Sequence, residues 1–171
     1  MTLDSSIDRN RLRHEAKKIG ITLTDDAGHL PSTKSFGHEL PELFLWFCQR
    51  YKSHSGFPHH GWEPPYGLLS PWGLESELER RNVGVRRNNP TWPLNWIIFW
   101  HGNDGDYCFS FDRDGHPWIV YWHYNFLYHE ENRHLEFRDI YVAADFAEWF
   151  SQQADWVLEH QLDNPVKTVR D

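Results

Sequence analysis

Apolar residues recur at helical spacing in four stretches of the chain, and between the last two they follow strand-like patterns instead. Over residues 5 to 19, Leu12, Ala16 and Ile19 share one face, with Ser5 or Ser6 positioned as a cap. In "ELPELFLWFCQRYK", Leu40, Leu43, Phe44, Phe47 and Tyr51 keep the helical period, and Pro41 suits a first turn where its missing N–H costs nothing. "SPWGLESELERRNVG" predicts one short helix with Leu74 and Leu78 inward. The last stretch, "DFAEWFSQQADWVLEH", places Phe146, Trp149, Phe150, Trp156 and Val157 on one stripe, together with Gln153 and His160. Asp145 and Glu148 stand three residues apart at its start, as a capping box requires.

The strand signals lie from Leu94 onward. "NWIIFWH" is dense in β-branched and aromatic residues, and "DYCFSFD" alternates, with Tyr107, Phe109 and Phe111 on one side. "PWIVYWHY" is apolar on both sides, the pattern of a covered central strand, and "RDIYVA" reads as a last strand. The Asp-Gly pairs in "HGNDG" and "RDGH" supply the positive φ that tight hairpins need. Residues 20–39, 54–67 and 86–93 mix Gly, Pro and polar residues and read as loops or irregular strand. The expected fold is α+β: an antiparallel or mixed sheet of roughly four to six strands, covered by N-terminal helices and a C-terminal helix. A single domain over 1–171 is expected, with residues 1–37 as helix and loop and residues 164–171 as a frayed tail.

Composition adds a large aromatic payload to a polar background. Ten Trp, seven Tyr and eleven Phe accompany a mean hydropathy of −0.73, so a few bulky residues must supply the core, and some of them can serve a surface. Cys48 and Cys108 give no disulfide framework or zinc signature. With no apolar run of membrane length and no signal-peptide pattern, the expectation is a cytoplasmic protein without membrane contact. Charge is uneven: residues 101–171 hold five Lys/Arg against fourteen Asp/Glu, whereas residues 1–50 hold seven of each. An acidic half disfavours nucleic acid and favours basic partners.

Candidate chemistry is sparse. Asp104, Asp106, Asp112 and Asp114 invite a calcium loop, yet the sixth position from Asp104 is Phe109, where an EF-hand needs Gly, and from Asp112 the sequence runs into His116 and Trp118. "HEENRH" at 129–134 spaces its histidines by five, not the four that one helical face demands, and His59 and His60 have no acid pair nearby. No nucleophile elbow or phosphate-cradling Gly-rich loop is present, and Cys48 has a structural setting. "ERRNVGVRR", with Arg80, Arg81, Arg86 and Arg87, is one local basic patch that can touch phosphate, in an otherwise acidic protein. No catalytic residue, metal or cofactor is therefore assigned, which favours a binding protein over an enzyme.

Four segments in order give a resemblance: "LPELFLWFCQRY", "WIIFWHGNDGDYCFSFD", "GHPWIVYWHY" and "VAADFAEWF". Together they resemble the SUKH superfamily of Knr-type domains, strongest over residues 38–156. The resemblance implies a non-enzymatic protein-binding domain, in bacteria often an immunity protein that binds and neutralises a cognate toxin of a polymorphic toxin system, frequently a nuclease. The fungal relatives imply an alternative, a regulatory or scaffold module of cell-wall synthesis that recruits protein partners. An acidic inhibitor can mimic the charge of a nuclease's substrate. On that reading the partner-binding candidates are Asp104, Asp106, Asp112, Asp114, Glu130 and Glu131, with Trp118 and Trp122 as aromatic anchors.

Overall fold

Leu12 and Ala16 stack one turn apart within helix α1 (Ser5–Lys18), and Ile19 follows just beyond its end; all three are buried, as the sequence pattern predicts. The computed structural model describes residues 5–25, 33–51, 67–69, 71, 76–102, 105–123 and 140–163. A small hairpin, β1 (Lys34–Ser35) and β2 (His38–Glu39), lies inside the stretch read as loop or irregular strand. Its tip is Phe36-Gly37, with φ of 48° and 84°. Positive φ at both central residues matches the twist that a two-residue hairpin imposes.

Helix α2 (Glu42–Arg50) follows, with Pro41 at the N-cap, one position before the first turn where it was expected. Five consecutive residues, Phe44 to Cys48, are buried, so α2 is enclosed on nearly every side. A short strand β3 (Gly67–Leu68) appears at the end of a region read as loop. Helix α3 (Glu77–Asn88) starts at Ser76, whose hydroxyl accepts the Glu79 N–H at 3.1 Å. It runs past Gly84 into residues expected to be loop, because Val85 continues the buried stripe of Leu78 and Asn82. Leu74 lies outside the described residues.

The main sheet comprises β3, β4 (Trp96–His101), β5 (Gly105–Phe111), β6 (Pro117–His123) and β7 (Tyr141–Ala143), in that order. Every pairing is antiparallel, which decides between the antiparallel and mixed forms. β5 and β6 pair without interruption from Gly105↔His123 to Phe111↔Pro117, while β4 bulges between Ile98 and Trp100. Helix α4 (Phe146–Asp163) closes the chain. At its start the Glu148 N–H donates to Asp145 Oδ1 at 2.8 Å, and Glu148 Oε2 accepts the Ala144 N–H at 2.7 Å. The capping box therefore forms, with the return bond one residue earlier than the usual pattern.

The two faces of the sheet are covered differently. On one face Phe109 stacks on Phe99 at 4.1 Å, and Phe44 of α2 and Phe146 and Trp149 of α4 pack edge-on around them. Phe150 and Val157 complete the buried stripe of α4, but Trp156 is exposed and Ala154 takes the inward place. On the other face α3 and Trp92 cover Asp106, Cys108 and Trp122, so the second side of β5, polar in its pattern, is buried as well. Cys48 and Cys108 are free thiols within these two layers, and burial pushes both well above the ordinary thiol range.

Two local devices hold the sheet. β3 reaches only Trp100 and His101, leaving the edge of β4 open at Ile98. Asn82 closes it: its Nδ2 donates to the Ile98 carbonyl and its Oδ1 accepts the Ile98 N–H, each at 2.8 Å. Gly105 lies where a Cβ would stand 2.3 Å from the Trp122 carbonyl oxygen and 2.8 Å from the Tyr121 ring, so only glycine fits. No described helix is long and apolar enough to cross a membrane.

Candidate protein-binding site

The acids and tryptophans that the sequence singles out separate into three groups. Asp104, Glu130 and Glu131 lie outside the described residues. Asp106 and Trp122 face each other across β5 and β6, and both are buried. Asp112, Asp114 and Trp118 are exposed at the β5–β6 turn and the start of β6.

Asp106 corrects the surface reading. Its side chain is 0 % exposed, Oδ2 accepts from Arg81 Nη2 at 2.8 Å, and Oδ1 lies 2.5 Å from His101 Nδ1. Both carboxylate oxygens are thus engaged, tying α3 to the end of β4. Trp122 is corrected likewise: its indole packs edge-on against Trp92 at 4.5 Å and contributes to the core rather than to a partner surface. The basic patch of α3 also divides. Arg81 turns to Asp106, and Arg86 turns to the Trp96 carbonyl at 2.7 Å and to the Phe36 ring at 3.8 Å, leaving Arg80 and Arg87 outward. Burial lowers the Arg86 guanidinium pKa, with Glu79 opposing the shift.

At the β5–β6 turn the backbone explains the acids. Asp112 Oδ1 accepts the N–H groups of Asp114 and His116 at 2.8 and 2.9 Å, and Gly115 supplies the positive φ that completes the turn. These backbone bonds, that from His116 first, hold the Asp112 carboxyl below its ordinary range. Asp112, Asp114 and His116 can bring three ligand atoms within 4.8 Å of one another, all three residues being exposed. That proximity follows from the turn, whose closing bonds already occupy Asp112 Oδ1.

Beside this turn the second face of the sheet carries two exposed aromatic rings. Trp118 and Tyr141, on β6 and β7, are 39 % and 41 % exposed and meet edge-on at 5.8 Å. Among the described residues no other exposed pair of aromatic rings is in contact. β7 runs back toward the start of β6, through Ala143↔Ile119, so Asp145 and Glu148 approach the end of the sheet that carries the Asp112 turn. Burial, then Glu148 and Asp145, raise the Tyr141 hydroxyl pKa, so both acids act on this ring. The aromatic pair thus lies near Asp145 and Glu148, and Asp112 and Asp114 belong to the turn that leads into β6. Sequence reasoning missed Tyr141, although "RDIYVA" alternates and places Tyr141 opposite the inward Val142 and Ile140 pattern.

Such a surface offers flat π faces, a hydroxyl and carboxylates, but no activated nucleophile. It suits recognition of basic and apolar groups. The model of the SMI1/KNR4 family (SUKH-1) matches residues 33–152 of the chain. No curated protein and no solved structure matches it.

Proposed function

The chain belongs to the SMI1/KNR4 family (SUKH-1), and on that premise we propose that it is a non-enzymatic protein-binding domain acting as an immunity protein: it neutralises a cognate toxin by occlusion. The observation that carries this reading is the exposed Trp118–Tyr141 pair, with Asp145 and Glu148 acting on Tyr141 and the acidic Asp112 turn leading into β6. Aromatic rings are the commonest interface anchors, and flanking carboxylates steer a basic partner onto them. A nuclease is basic where it meets phosphate, so the acidic excess of residues 101–171 suits a nuclease toxin. Asp104, Glu130 and Glu131 remain proposed partner contacts, whereas Asp106 and Trp122 are withdrawn. The protein acts where the toxin would otherwise act, in the cytoplasm, without cofactor or membrane.

The test uses the product of the neighbouring gene as partner. Calorimetry should give a complex that Trp118→Ala and Tyr141→Ala each weaken by about 2 kcal/mol, roughly thirtyfold. Neutralising Asp112, Asp114 and Asp145 should slow association and flatten its salt dependence. Unchanged affinity in both aromatic variants, with an unchanged salt slope, removes this surface from the interface. The second reading, a regulatory module that recruits protein partners as in the fungal relatives, predicts the same aromatic dependence with a partner that has no toxic activity.

A further inference from the structure

The corner between α1 and α2 holds a charge cluster of opposite sign, independent of the acidic face. Arg9 and Arg13 stand one turn apart on α1, and Arg50 stands one turn after Trp46 on α2. All three guanidiniums converge on a single indole, with their Cζ atoms 6.0, 5.4 and 4.7 Å from the Trp46 ring centroid. Like charges at this spacing repel, and the ring face offsets only part of that repulsion. Burial, then Arg13 and Arg9, lower the Arg50 pKa, and Asp25 opposes them.

The carboxylates nearby do not complete the cluster. Glu42 pairs with Arg9, and Asp25 with Arg13 at 2.9 Å, but their side chains are 70 % and 97 % exposed. Water competes strongly for such pairs, and either acid can swing away. Arg50 reaches the Trp46 carbonyl at 3.3 Å and Gln49 Oε1 at 3.4 Å, both long for a charged donor. The Nε groups of Arg9 and Arg50 are buried and have no acceptor among the described residues. A buried guanidinium N–H without an acceptor is costly, and two of them beside one ring mark a place for an added acceptor.

We propose that Arg9, Arg13 and Arg50, arranged around Trp46, form a binding site for a phosphate group. A tetrahedral phosphate spreads its charge over several oxygens and can accept from three converging guanidiniums at once, whereas one carboxylate has two oxygens and a single charge. Glu42 and Asp25 hold the arginines when the site is free and yield to the incoming anion.

Sodium phosphate titrated into the isotope-labelled full chain tests the site, with sodium chloride at matched ionic strength and sodium acetate as comparisons. Phosphate should shift the Arg9 and Arg50 Nε–H and Trp46 indole signals saturably, and Arg13→Gln should weaken that binding about tenfold. Thermal melting gives a second reading: phosphate should raise the melting temperature of the wild type above that in matched chloride, and the gain should vanish in Arg13→Gln. Arg13 is partly exposed, so this variant retains the packing that Arg50→Gln would disturb. A phosphoserine peptide binding more tightly than inorganic phosphate assigns the group to a modified protein, and equal binding assigns it to free phosphate; both uphold the site. Responses to phosphate no greater than those to chloride or acetate, or undiminished in Arg13→Gln, overturn it.

Discussion

Asn82, on a helix, completes the hydrogen bonding of Ile98, on a strand, by engaging its N–H and its carbonyl at 2.8 Å each. The side chain takes the place of a neighbouring strand just beyond the last bond of the β3 segment, from the Leu69 N–H to the Phe99 carbonyl at 2.9 Å. Asn82 is itself fully buried, and its Nδ2 also donates to the Leu78 carbonyl, so α3 and β4 are joined through one amide.

Replacing Asn82 with Leu keeps the approximate volume but leaves two backbone groups of Ile98 buried and unpaired. The expected loss is about 3 kcal/mol of unfolding free energy, read from urea melts. Asn82→Asp should also destabilise, since a carboxylate cannot donate to the Ile98 carbonyl.

Asp106 governs stability rather than recognition. Asp106→Ala removes the buried carboxylate that Arg81 and His101 share and should cost on the order of 3–5 kcal/mol. The association rate with a basic partner should stay unchanged in any variant that still folds. A slower association rate at full stability would return Asp106 to the surface group.

Two glycines give opposite expectations. Gly105→Ala drives a methyl group into the Trp122 carbonyl and should prevent stable pairing of β5 with β6, seen as loss of the cooperative melt. Gly84 lies within α3 with nothing within 4 Å of its added Cβ, so Gly84→Ala should stabilise by about 0.5–1 kcal/mol.

The Asp112 turn has a defined pH response. Its folded pKa lies below the ordinary value of 3.8, so its contribution is fully present above that value and fades as pH falls through the lower folded value. Amide exchange at Asp114 and His116 should accelerate in that acid window, and in Asp112→Ala at every pH.

Much of this architecture is legible from periodicity alone. Leu12 and Ala16 in α1, Phe44 and Phe47 in α2, and Phe146, Trp149 and Phe150 in α4 all face inward as their spacing requires. The antiparallel run from β4 to β6 follows from its aromatic strands and the Asp114-Gly115 turn, whereas Gly105, read as a positive-φ turn residue, lies inside β5 without positive φ and is needed there for space. Three features are not legible. The length of α3 depends on Val85 and on the tertiary anchoring of Arg86, which outweigh the intrinsic cost of Gly84. β1 and β2 are too short to show a period. Asp106 sits on the polar side of an alternating strand, and nothing local reveals that α3 covers that side and supplies Arg81. For the same reason Trp118 and Trp122, equivalent in the sequence of β6, differ in fate: one lies beyond the cover of Trp92 and the other beneath it.

The two thiols turn this layering into a clock. Cys48 sits in the helical layer and Cys108 in the sheet beneath α3, and neither can meet a reagent while its layer is shut. The pace at which each is alkylated in the native protein therefore times the opening of its own layer. Equal paces would mean that helices and sheet part together, and unequal ones would reveal which lets go first.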